Sequence, residues 1–236
     1  MTKRSQMPRS AAEPRAPTLK HSAPRIRRHL PAAERERQIV EAAAAFFAEH
    51  GFEGQTRELA KTMGITHSAI FRYFPSKDAL IESVYDHVFL ARWDANWKTQ
   101  ITDRSQPLKD RLQNFYTAYA GRIFDVQWMR IFMFAGLKGH PMTARYVALV
   151  RNQLIKPLCG ELRADLKLPS LADVPMTARE EEAFWTLHGA FFYLGIRMFI
   201  YEVRTHQERD DTIRDQVAIF LSGAPAVLRA ACRAGG

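Results

Sequence analysis

The chain has 236 residues, is 47% apolar and carries a formal net charge of +9, enough apolar material for a buried core in one large or two small domains. Its two cysteines, Cys159 and Cys232, form no C-x-x-C pair, which argues against a disulfide framework or a cysteine zinc site and fits a reducing cytoplasm. The longest late apolar run, 189–201, is broken by Arg197 and falls short of the roughly 20 residues that cross a bilayer, so no membrane contact is expected.

Residues 1–30 hold Lys3, Arg4, Arg9, Arg15, Lys20, Arg25, Arg27 and Arg28 against Glu13 alone, which is seven of the nine net positive charges. Pro8, Pro14, Pro17 and Pro24 prevent the amphipathic helix of a transit peptide. The segment reads as a disordered basic tail, either inert or an arm that follows a nucleic-acid backbone or minor groove.

From Pro31 onward no two-residue alternation argues for strands, and the apolar spacing is helical. The first helix is expected over 33–49, with Ile39, Ala43, Phe46 and Phe47 on one face and Gly51 ending it. Thr56 predicts the N-cap of a short second helix through Met63, and Thr66 that of a third through Phe74. Pro75 stops the third helix and Ser76 caps a long fourth reaching Ile101. Further helices are expected over 107–124, 127–137, 143–166, 178–203 and 210–231, with Pro157 kinking or splitting one of them. The expectation is an all-α chain of about nine helices: a basic tail over 1–30, a three-helix domain over 31–78 and a larger helical domain over 79–236.

The second and third helices carry the most informative spacing. Ala60 is small where two helices approach, Gly64 stands where a tight turn needs a positive φ, and Ile70 lies on the inner face of the following helix. This is the spacing of a helix-turn-helix, whose second helix enters the major groove by its N-terminal end. Thr66, His67 and Ser68 occupy that end, and short polar side chains suit close approach to base edges. Arg57 and Lys77 flank it, placed to meet phosphates or a base. Phe71, Arg72, Tyr73, Phe74, Pro75, Ser76 and Lys77 add aromatics, cations and a helix cap at the next junction.

At these residues the sequence closely resembles the N-terminal domain of the TetR family of bacterial transcriptional repressors. The resemblance is carried by Arg37 to Ala43, Phe47 to Gly54, Arg57 to Ala60 and Gly64 to Leu80, and covers roughly 33–82. It implies that Arg57, Thr66, His67, Ser68, Phe71, Arg72, Tyr73 and Lys77 face double-stranded DNA. Three departures stand out: the link from Gly54 to Arg57 is one residue shorter than usual, Ala69 replaces a frequent threonine, and Phe71 stands where tyrosine is common. Phe71 therefore offers no hydroxyl to a phosphate.

The resemblance also implies that the remaining helices bind a small-molecule effector and form a homodimer. Independently, residues 184–196 are apolar around most of a helix, which must then be covered on two sides. Gly189 and Gly195 there, with Ile213, Val217, Phe220 and Leu221 on the last helix, are the expected dimer contacts. Phe115, Tyr119, Trp128, Phe132, Trp185, His188 and Phe192 are the expected lining of a largely apolar pocket of about 300 Å³ or more. His188 reads either as a hydrogen-bonded core residue or as a ligand contact.

No Ser/His/Asp, Cys/His, metal or phosphate-loop constellation can be assembled, so no catalytic residue, cofactor or metal is expected. Two readings remain: a ligand-responsive repressor released from a palindromic operator, or a constitutive DNA-binding or architectural protein whose helical body only dimerises.

Overall fold

The computed structural model of the protein describes residues 31–234, and these form α-helices with no strand among them. In chain order they are α1 (Ala32–His50), α2 (Thr56–Thr62), α3 (His67–Phe71), α4 (Lys77–Tyr85), α5 (Asn96–Thr102), α6 (Leu108–Ile123), α7 (Val126–Leu137), α8 (Pro141–Val150), α9 (Lys156–Asp165), α10 (Ala178–Phe199) and α11 (Arg209–Ala234). The basic tail lies outside the described residues.

The first three helices enclose a small core. Ile39, Ala43, Phe47, Leu59, Ala60 and Ile70 are buried together, which is the inner face that the apolar spacing predicts. Gly51 ends α1 at φ +66° and Gly64 makes the turn between α2 and α3 at φ +64°, a region open to glycine without steric cost. Thr66 accepts from the Ala69 backbone N–H at 3.2 Å and caps α3. Ser76 accepts from Ala79 N–H at 3.0 Å and caps α4. Both caps satisfy amides that the first helical turn leaves without partners.

Elsewhere local chemistry divides the chain more finely than periodicity predicts. The expected helix over 76–101 breaks at 91–95, and Asp94 Oδ1 accepts from Asn96 N–H at the start of α5. α4 first passes into one π-helical turn, Asp86–Leu90. A second π turn, Arg151–Ile155, joins α8 to α9 just before Pro157, so that proline is absorbed by a widened turn instead of a sharp kink. α3 is shorter than expected, ending at Phe71.

α10 starts on a capping box: Thr177 Oγ1 accepts from Glu180 N–H, and the Glu180 carboxylate accepts from Thr177 N–H at 2.8 Å. Glu180 also pairs with Arg163 across 2.6 Å, with both side chains completely buried. Arg163 reaches on to the carbonyls of Pro169, Val174 and Pro175, so the pair fixes the 166–177 loop against α9. α11 packs on α10 and α6, and α7 packs on α1. The larger helical body thus bears directly on the first helix.

Candidate functional site

Thr66, His67 and Ser68 lie together at the start of α3, with Arg57 on α2, Lys77 on α4 and Phe71, Arg72 and Tyr73 at the α3 end. Thr66, Ser68, Phe71, Arg72 and Arg57 are exposed, while His67, Tyr73 and Lys77 are half-buried. Arg57, Lys61, Arg72 and Lys77 make no ion pair with any described residue, whereas Arg37 is spent on Glu34 and Glu41, each at 2.8 Å. Arg57, Lys61, Arg72 and Lys77 sit on α2, at the α3 end and at the start of α4.

One hydroxyl behaves differently from the sequence expectation. Thr56 is not the cap of α2: Gln55 holds that position with no side-chain bond. Its hydroxyl instead bonds His67 Nε2 at 2.9 Å, tying the start of α2 to the start of α3. The His67 ring also sits edge-on to Phe71 at 4.8 Å between centroids. Thr56 is the first residue of α2, one position inside the cap, and from there its hydroxyl meets His67. Thr66 is committed as a cap and bonds Ser68 Oγ at 3.1 Å, which leaves Ser68 as the freer hydroxyl.

A cavity of about 190 Å³ lies between α6, α7, α8 and α10. Six of the seven expected residues line it, namely Tyr119, Trp128, Phe132, Trp185, His188 and Phe192. Phe115 does not. It is buried behind the wall against Trp97, Tyr116 and Tyr119. Tyr146, Val147 and Val150 of α8 complete the lining, and the tyrosine in that apolar helix is the signal that could have found them. The volume is below the expected 300 Å³; Trp128 and Phe132, one turn apart on α7, stack on each other at 5.0 Å along that wall. Tyr119 and Tyr146 share a hydrogen bond of 3.0 Å, and burial raises both hydroxyl pKa values. Burial also pushes His188 down to about 4, so its ring is neutral at pH 7, and its Nδ1 has no protein partner.

The expected dimer residues separate. Gly195 is interior: a Cβ there would lie 3.3 Å from Met129 Sδ, so this glycine permits close approach to α7 of the same chain. Ile213 and Val217 are fully buried in the chain's own core. These three are corrected as interface residues, since an apolar stripe reports burial without saying against what. Gly189 borders the cavity mouth. Phe220 and Leu221 are half-buried, the former against Phe184. Outward-facing apolar area is supplied by Tyr193 on α10 and Ile219 on α11, 53% and 65% exposed.

α4 joins the two regions. It begins at Ser76 and Lys77 and ends, through its π turn, with Phe89 buried against Trp128 and Tyr146 at 5.1 and 5.5 Å. Arg145 of α8 pairs with Glu82 and lies 4.3 Å over the Tyr85 ring. Among the described residues no cluster of side chains could hold a metal ion and no helix is long and apolar enough to cross a membrane.

Residues 39–84 match the family model "Bacterial regulatory proteins, tetR family". Over 62 residues, 26% of this chain and 30% of the relative, the sequence is 44% identical to the HTH-type transcriptional repressor AcnR of Corynebacterium diphtheriae. Over 112 residues it is 29% identical to the nucleoid occlusion factor SlmA of Haemophilus influenzae, covering 46% of this chain and 50% of the relative. The chain thus spans half or less of the length of these curated relatives. Among solved structures, a TetR-like transcriptional regulator from Rhodococcus sp. RHA1 superposes with TM-score 0.60 at 20% identity, over 82% of this chain and 99% of that one. The TetR family regulator PfmR of Thermus thermophilus does so with TM-score 0.55 at 21% identity, over 79% and 98%. At such identities these two likenesses establish the fold.

Proposed function

We propose that this chain, a TetR-family protein by its matched domain and its fold, is a homodimeric transcriptional repressor released from a palindromic DNA operator by a small effector. The observation that carries the reading is the capped start of α3, with His67 and Ser68 in its first turn, and Arg57, Arg72 and Lys77, which pair with no described residue, on the adjoining helix ends. Base edges would be met by His67 and Ser68, and phosphates by the cations and by the amides around the Ser76 cap. A single α3 reads one half-site, so a two-fold dimer supplies the second and its geometry sets their spacing. Tyr193 and Ile219, with Phe220 and Leu221 beside them, are the apolar surface for that dimer.

Release follows from α4. A ligand that displaces the Trp128 and Phe132 rings presses on Phe89, which touches both, and hence on the helix whose first turn carries Lys77. It lowers operator affinity if it prefers the spacing that does not fit DNA, and a coupling of about 1–3 kcal/mol is typical. That AcnR is a repressor supports the sign of regulation. Recovery of genomic fragments by the purified chain tests the proposal: one or a few discrete promoter fragments are expected, and uniform recovery of all fragments would contradict it.

A further inference from the structure

The cavity between α7 and α10 is defined as much by what it excludes as by what lines it. Among the described residues no charged side chain borders it. The nearest charges at the Trp185 rim, Arg151 and Glu181, are paired with each other at 2.6 Å. A ligand bearing a full charge would lose its hydration there and meet no counter-ion, and the unprotonated His188 ring supplies none. Size narrows the choice further. The cavity is about 190 Å³, and an apolar protein cavity of about 150 Å³ is known to hold benzene, so the space admits one aromatic ring with a small substituent.

Two polar atoms of wall side chains lack any partner among the described residues, His188 Nδ1 on α10 and Trp128 Nε1 on α7; both lie beneath the apolar lining, so a ligand's polar group reaches one only as that ring turns. Around Trp128 stand Phe89, Phe124, Phe132, Tyr146 and Phe192. The hydroxyl of Tyr146 bonds Tyr119 and makes no bond to the indole N–H, which stays without an acceptor. Buried polar groups without partners are costly and uncommon, and two within one aromatic cavity mark where a ligand's polar group would be rewarded.

We infer that the cavity takes a small uncharged aromatic compound carrying a single hydrogen-bonding group, such as a phenol, seated against His188 or Trp128. This rests on reading the cavity as the effector site. Neutral ring, size and polar group are separable by titrating benzene, phenol and benzoate into the full chain at pH 7 without DNA, followed by calorimetry.

Phenol is expected to bind roughly tenfold more tightly than benzene, the scale of one satisfied hydrogen bond, and benzoate not measurably. Replacing His188→Phe or Trp128→Phe should reduce that preference to about twofold or less in at least one variant, with a cooperative thermal unfolding transition showing that each variant folds. Phenol no tighter than benzene, benzoate as tight as phenol, or a preference surviving in both variants would overturn the inference and leave the cavity as a ligand site. Failure of both neutral compounds to bind would remove the cavity as effector site altogether. Operator binding, measured separately, reports on the DNA-binding reading alone.

Discussion

At the scale of single residues, the start of α3 separates roles that sequence alone lumps together. Lys77 is half-buried and pairs with no acidic side chain among the described residues, so Lys77→Ala should weaken binding to all duplexes alike and lower the salt slope by about one unit. His67 is held by Thr56, so His67→Ala should relax one operator position at a cost of about 1–3 kcal/mol. Thr56→Val should shift the same position less, through lost orientation; equal losses on every sequence for all three variants would contradict the assignment. The buried Arg163–Glu180 pair belongs to stability. Burial alone would raise the Glu180 pKa, but Arg163 and the Thr177 amide and hydroxyl overcome it and hold the carboxyl below its usual 4.5. Its stabilising contribution is therefore present above pH 4.5 and lost as pH falls through the lowered value. Arg163→Met should cost about 3–5 kcal/mol in urea unfolding, because a buried carboxylate is left alone, and should flatten this acid-side loss.

At the scale of elements, α4 is the part whose behaviour decides whether the two regions communicate. Its π turn places Phe89 on Trp128, Phe132 and Tyr146, and π turns recur at functional sites. Phe89→Leu keeps an apolar side chain there at a cost of roughly 1 kcal/mol. It should leave operator affinity nearly intact while reducing the ratio of operator dissociation constants with and without saturating phenol; an unchanged ratio would mean the signal takes another route. The caps Thr66 and Ser76, the turn at Gly64 and the inner face of α1 were legible because each depends on neighbouring residues only. The break at 91–95 was not, since both flanks favour helix and Asp94 acts through one side-chain bond. Ile213, Val217 and Gly195 misled for a different reason. Their periodicity is that of any buried face, and the identity of the covering surface is a tertiary fact. Most of the cavity lining was legible from aromatic content, whereas its volume was not.

At the scale of the whole molecule, charge is unevenly placed. Between Pro31 and Ser76 five cations, Arg35, Arg37, Arg57, Lys61 and Arg72, face six glutamates, so this domain attracts DNA weakly at long range. Residues 1–30 carry a net +7. Deleting them should leave folding and dimerisation unchanged but lower operator affinity, with a loss that shrinks as salt rises and little change in sequence preference. Superimposable binding curves at low salt would show the tail to be inert. The central claim is that two copies read one two-fold site through α3. The most direct measurement is selection of binding sequences from random duplex DNA with the full chain, with the mass of the selected complex determined alongside Ile219→Asp. The account predicts an inverted repeat bound by an even number of copies, with Ile219→Asp losing both the pairing and most of the affinity. An enriched single half-site bound by one copy, or no enrichment at all, would contradict it.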